Sequence, residues 1–218
     1  MDPVTFQTDD GVRLEAEVRL PEARPRGSAV LCHPHPRHGG SKDHPLLWAI
    51  RNDLASERGL AVLGFNFRGV MGSGGSYGGD RDELRDVVAA IGHVRTLAPD
   101  GTPTILVGWS FGASVALRAA IDDRRVGALA LVGIPLDPKD LALPPLPHKH
   151  DLRALKRPVL LLAGEHDGFC PAERLHAYGA SFPDAETVIV DGTDHYFWRR
   201  EREAAGVIGG FAESTLGA

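Results

Sequence analysis

The sequence predicts an α/β domain in which an N-terminal antiparallel hairpin leads into a mostly parallel central sheet with helices on both faces. Residues 4–8 and 12–20 alternate apolar and polar side chains around Asp9-Asp10-Gly11, a hairpin pattern with Asp-Gly at its turn. Short continuous apolar runs then recur at 28–32, 60–65, 104–108, 126–133, 158–163 and 187–190, each bounded by loop residues. Runs of this length without alternation suit strands covered on both faces, the condition of a parallel sheet. Helical spacing lies between them, which is the third sign of the same architecture.

The elements follow in order. Beyond the hairpin, 21–27 is a loop rich in Pro and Arg. Residues 82–97 place Leu84, Val87, Val88, Ile91 and Val94 at helical spacing. Another helix is expected over 113–121, directly after the strand at 104–108. A third opens on Pro171 and runs over 171–179, where proline is tolerated at a helix start. A last helix is expected over 197–216, weakened by Gly206, Gly209 and Gly210. The segment 134–157 is rich in proline and reads as a loop with one short helix. Neither a repeat nor a linker divides the chain, so residues 1–218 are read as a single domain.

Bulk properties narrow the function. A formal charge of −5 argues against a nucleic-acid surface, and no block of like charge suggests a membrane-binding patch. The apolar stretches are too short to span a bilayer. The N-terminus lacks the basic start and apolar core of a signal peptide, and Cys32 and Cys170 read as reduced thiols, so a cytoplasmic location is expected. The expected partner is a small molecule, and the oligomeric state is left open.

In sheets of this kind ligands bind beyond the carboxyl ends of the strands. There the strand at 104–108 runs into Gly108-Trp109-Ser110-Phe111-Gly112, and a helical pattern starts at once. Gly-x-Ser-x-Gly between strand and helix is a nucleophile elbow: a tight turn with no room for side chains at its glycines, presenting the Ser110 hydroxyl above a helix N-terminus. A Gly-Ser turn that merely caps a helix is the plainer alternative.

A serine hydroxyl needs a base to take its proton, and the base needs an orienting partner. Asp167 follows the strand at 158–163 and His195 follows that at 187–190, giving the order nucleophile, acid, base that accompanies such an elbow. Glu165 and Asp137 compete for the acid role, while Asp194 reads as a turn former. For the oxyanion hole the expected donors are the N–H of Phe111 and, from His33-Pro34-His35-Pro36-Arg37, the N–H of His35, since proline has none; Arg37 is the next choice. The clustered His33, His35, His38 and His44 raise zinc as a rival, but no Cys or carboxylate cluster stands beside them, so neither a metal nor a cofactor is expected.

The segments His33–Pro36, Asn66-Phe67-Arg68-Gly69 and Gly108–Gly112, with Asp167 and the Asp194-His195 pair, resemble the small α/β-hydrolases that lack a lid. The resemblance covers nearly the whole chain and implies the α/β-hydrolase fold without a cap domain and an acyl-serine mechanism; the short, proline-rich segment 134–157, where such caps are inserted, leads to the expectation of a shallow, open site. Met71 stands where that family usually has a glycine-rich turn, and either narrows the site mouth or packs the loop. Arg37, Met71, Phe169 and Tyr196 are the expected substrate-binding residues, with Phe197 and Trp198 as further candidates for the acyl pocket. Arg68 is expected to hold its loop by pairing with Asp82, Glu83 or Asp86. The expected activity is hydrolysis of small carboxylic esters. A thioesterase, lactonase or peptidase using the same triad, or a non-catalytic binding scaffold, are the alternatives.

Overall fold

The computed structural model describes residues 2–79, 81–139, 141, 143 and 145–216. The hairpin forms as expected from β1 (Asp2–Gln7) and β2 (Arg13–Arg19). Its turn is closed by Thr8 N–H to Val12 O and Gly11 N–H to Thr8 O, both 3.0 Å, with Gly11 at φ 82. Leu14, Ala16 and Val18 of β2 point into the core while their neighbours do not, which is the alternation seen in the sequence.

Six more strands complete one sheet: β3 (Gly27–Cys32), β4 (Leu60–Phe65), β5 (Thr104–Trp109), β6 (Val126–Val132), β7 (Val159–Gly164) and β8 (Ala185–Val190). The order across the sheet is β1-β2-β4-β3-β5-β6-β7-β8. β2 pairs antiparallel with β1 and β4, and β3 to β8 are parallel throughout. The middle strands are buried on both faces, which is why their sequences read as continuous apolar runs.

Two helices, α1 (Pro45–Asn52) and α6 (Glu201–Leu216), cover one face of this sheet. The other is covered by α2 (Arg81–Arg95), α3 (Phe111–Asp122), α4 (Lys149–Ala154) and α5 (Ala172–Gly179). α1 is absent from the sequence reading. His44 caps it, its ring accepting from Leu46 N–H at 3.2 Å, and Pro45 occupies the first helical position. A wider turn, Asp53–Glu57, extends it. α4 is the one short helix expected between β6 and β7, and Leu152 anchors it in the core.

The last helix starts four residues later than expected. Phe197 (φ 56) and Arg199 (φ 66) hold left-handed backbone, which a right-handed helix cannot include. The glycines of α6 have a packing reason at Gly209: a Cβ there would lie 1.9 Å from Asp53 Oδ1, so a side chain would require the Asp53 carboxylate to move. Among the described residues, no helix is long and apolar enough to cross a membrane.

Candidate active site

The chain passes from β3 outward to β4 and then returns to β5 on the other side of β3. Loops leaving the carboxyl ends of β3 and β5 therefore run in opposite directions and open a crevice between them. A cleft of about 180 Å³ lies there. Ser110, His195, His35, Trp109, Phe169 and Tyr196 are among its lining residues.

Ser110 is the single residue between β5 and α3 and adopts φ 57, ψ −120. A backbone in that region is costly for a residue with a side chain and needs support from its surroundings. Support comes from Ser110 N–H bonding Val132 O at 2.8 Å. The flanking glycines make the turn possible. A Cβ on Gly108 would lie 2.3 Å from Gly112 O, and one on Gly112 would lie 2.2 Å from Cys32 O. Phe111 begins α3, so its N–H belongs to the first turn, whose amides have no partner within the helix.

His195 Nδ1 lies 2.8 Å from Asp167 Oδ2. The other carboxylate oxygen, Oδ1, accepts from Phe169 N–H and Cys170 N–H, both at 2.9 Å. Asp167 is thereby fixed by its own turn at one oxygen and aims the second at the imidazole. Since a carboxylate only accepts, Nδ1 donates, and in the neutral ring Nε2 keeps its lone pair. Trp109 Nε1–H holds the backbone of His195 through its carbonyl at 3.1 Å. The competing acids have other work. Glu165 accepts from Gly192 N–H at 2.8 Å, Asp194 accepts from Tyr196 N–H at 2.9 Å, and Asp137 lies 3.8 Å from Arg174 on the surface.

Gly133, absent from the expected site, is part of it. It follows β6 at φ 52, and a Cβ there would stand 3.0 Å from Asp167 Oδ2, His195 Nδ1 and His195 Cε1. No local sequence signal marks it, because the reason is the approach of two distant loops. Gly133→Ala is expected to lower kcat by roughly 10²-fold through displacement of the imidazole. Activity beside a thermal melt checks this. Unchanged kcat would show that the ring moves aside without loss of function.

The histidines after β3 are engaged separately. His33 Nδ1 donates to Pro34 O at 2.6 Å and Nε2 accepts from Phe67 N–H at 3.0 Å, so the buried ring pins the β3 loop to the β4 loop. Burial pushes its pKa down to about 4, which keeps it neutral for both bonds. His35 Nδ1 accepts from Arg37 N–H at 3.1 Å, and His35 Nε2 lies 3.3 Å from the Tyr77 hydroxyl. Burial likewise holds His35 down at about 4. Arg37 N–H, the alternative oxyanion donor, is thus already committed, and Pro34 and Pro36 have none. Among the described residues, no three His, Cys, Asp or Glu side chains are grouped to hold a metal ion.

Of the expected substrate-binding residues, Phe169 and Tyr196 line the cleft, whereas Arg37 and Met71 are not among its lining residues. Arg37 instead lays its guanidinium over the Tyr77 ring, 4.7 Å from the centroid. Met71 is 71% exposed because its turn is tied away to β2, by Gly72 N–H to Glu15 Oε2 and Glu15 N–H to Ser73 Oγ, both 2.9 Å. Phe197 is fully buried and Trp198 half exposed beyond the cleft. Arg68 has the structural role expected of it. Its Nε donates to Asp86 at 2.9 Å, and a further partner, unforeseen, is Asp10 at the hairpin tip, 3.0 Å from Nη1.

A family model described as an alpha/beta hydrolase domain matches residues 28–208 of the chain. An uncharacterized protein of Rickettsia prowazekii (strain Madrid E) is 25% identical over 184 residues, covering 80% of this chain and 74% of the relative. Among solved structures, an alpha-beta serine hydrolase homologue from Coxiella burnetii superposes with a TM-score of 0.82 at 26% identity, over 96% of each chain. A serine hydrolase without a lid from Xanthomonas campestris gives 0.82 at 27% identity, over 100% of this chain and 95% of its own.

Proposed function

The chain belongs to the α/β-hydrolase family, and on that footing we propose that it is a serine hydrolase that cleaves small carboxylic esters through an acyl-enzyme. The observation that carries this reading is the 2.8 Å contact of Asp167 with His195, in the cleft where Ser110 is held at positive φ.

On this reading each residue takes one part in the reaction. Ser110 Oγ attacks the ester carbonyl while His195 Nε2 takes its proton. Asp167 keeps the ring in the tautomer that allows this and stabilises the imidazolium. The oxyanion that develops is met by the N–H groups of Phe111 and His35. His195 then gives the proton to the leaving oxygen, and the alcohol departs. Water, deprotonated by the same nitrogen, releases the acid from Ser110. No step calls for a cofactor or metal.

Among the described residues, α4 is the only helix between β6 and β7, and Leu141 of that segment reaches the cleft wall. A volume of about 180 Å³ suits one small group, being comparable to a cavity that holds benzene. Short acyl chains are therefore the expected substrates. Buried, unpaired Cys32 and Cys170 agree with a reducing compartment such as the cytoplasm.

The test pairs a fluorophosphonate probe with p-nitrophenyl esters of increasing acyl length. Phosphonylation at Ser110, mapped by mass spectrometry, with turnover falling as the chain grows, is the expected result. Long-chain esters as the best substrates would overturn the small-site reading. An unlabelled protein with no turnover would return the chain to the non-catalytic scaffold.

A further inference from the structure

The turn after His195 carries two aromatic rings, Tyr196 in the wall of the cleft and Trp198 beyond it, and leaves both partly in water. Tyr196 is 45% exposed and Trp198 55%, although burial of such rings is among the largest apolar contributions available to a fold. The backbone enforces this arrangement. Phe197 between them is fully buried in the layer beneath α6, so the side chains run out, in, out. Phe197 at φ 56 and Arg199 at φ 66 hold left-handed backbone, a conformation that residues with side chains keep mainly where the surroundings demand it, and often at sites of use.

The rings form a wall. Tyr196 and Trp198 stack with centroids 6.3 Å apart and planes at 24°. Tyr196 stands edge-on to the His195 ring at 5.6 Å and lines the cleft. His44 continues the wall, 5.7 Å from Trp198 and 4.3 Å from the buried Trp109. Burial lowers the His44 pKa, so its ring, like the other two, is uncharged at neutral pH.

Two rings of the cleft adjoin the His195 ring, Phe169 at 4.9 Å and Tyr196 edge-on at 5.6 Å. The leaving oxygen must lie within reach of His195 Nε2 to receive its proton, so the group it carries passes one of these rings, and of the two only Tyr196 continues into a wider aromatic surface through its stack with Trp198. The acyl oxygen points the other way, to the expected donors on Phe111 and His35. A flat ring gains from offset or edge-on contact with such a wall, beyond what an aliphatic group of equal size gains from area alone.

We propose that Tyr196, Trp198 and His44 form a leaving-group subsite for aromatic alcohols, making aryl and arylmethyl esters of short acids the preferred substrates. The inference rests on the ester-hydrolase reading above and specifies its substrate class. The bond between acyl carbon and leaving oxygen breaks as that carbon bonds Ser110 Oγ. The serine proton passes through His195 to the leaving oxygen, so a neutral aromatic alcohol is released and the short acyl group stays on Ser110 until water removes it.

The experiment compares benzyl acetate with cyclohexylmethyl acetate, matched in size and differing in flatness, on the wild type and Trp198→Ala. Wild type should favour the benzyl ester in kcat/KM by roughly tenfold, chiefly through KM, and the ratio should fall to about two in Trp198→Ala. Equal ratios in the two proteins, or no wild-type preference, would overturn the subsite while leaving ester hydrolysis intact. A second measurement does not need turnover: titration of Ser110→Ala with benzyl alcohol, followed at the Trp198 indole N–H by NMR. A saturable shift that cyclohexylmethanol does not produce supports the subsite even if esters are not turned over, in which case it is the hydrolase reading that fails. Absence of that shift, or a Trp198 signal that moves only with protein concentration because a second copy covers the rings, would overturn it.

Discussion

Ser110→Ala should lower kcat for p-nitrophenyl acetate by about 10⁶-fold, close to 8 kcal/mol of transition-state stabilisation. The size follows from the chemistry. Without Oγ there is no acyl-enzyme, and the two easy steps revert to one difficult attack by water. What remains is the binding cleft and the expected oxyanion donors, which together leave a residual rate above that of the uncatalysed reaction. The fold should not notice, because Ser110 is fixed by its backbone: its N–H bonds Val132 O, and its own carbonyl accepts from Ala113 N–H at 2.9 Å. Thermal unfolding should therefore match the wild type while turnover is lost. Equal activity in the two proteins would show that another group attacks the ester.

Asp167→Asn should cost about 10⁴-fold in kcat with little change in stability. The two carboxylate oxygens are used differently, which is what makes the substitution informative. Oδ1 accepts from Phe169 and Cys170 N–H, and the amide oxygen of Asn can do the same, so the turn survives. The amide nitrogen then falls where Oδ2 faced His195 Nδ1. An NH₂ group there donates, forcing Nδ1 to accept and Nε2 to carry the proton. The ring then has no lone pair for the serine proton. Neutron diffraction or the imidazole ¹⁵N shifts would report the reversed tautomer. A variant with nearly normal kcat would mean that Asp167 only orders its turn.

The parallel strands were legible because burial on both faces leaves an apolar run in the sequence itself. The elbow was legible for a similar reason: strand, turn and helix are contiguous, so Gly108, Ser110 and Gly112 announce their geometry locally. The pairing of Asp167 with His195 could be anticipated from their places after β7 and β8, and the two side chains do meet at 2.8 Å. Gly133 could not be read, since what excludes a side chain there is the meeting of loops more than 30 residues away. α1 was hidden by its own beginning, because His44-Pro45 looks like the end of a histidine-rich loop and not like a capped helix. Met71 misled in the opposite sense. Its bulk beside a glycine-rich segment suggested a site residue, yet hydrogen bonds that tie its neighbours Gly72 and Ser73 to Glu15 leave it turned to solvent. Arg68 was half legible: Asp86 lies on the next helix, while Asp10 is 58 residues earlier and carries no pattern that links the two.

The hairpin has a protective consequence. β4, Leu60–Phe65, is wholly apolar and would be the outer strand of the parallel sheet if β2 did not run along it. A chain shortened to begin at residue 21 would expose a row of unsatisfied amides and carbonyls flanked by Leu, Val and Phe, the template on which strands of separate molecules add to one another. It would also remove the Asp10 carboxylate from the buried Arg68 guanidinium, loosening the segment that carries Phe67 and, through His33, the expected oxyanion loop. The first two strands thus shield the sheet from aggregation, and the same contact ties that shield to the loop whose Pro34 and His35 line the cleft.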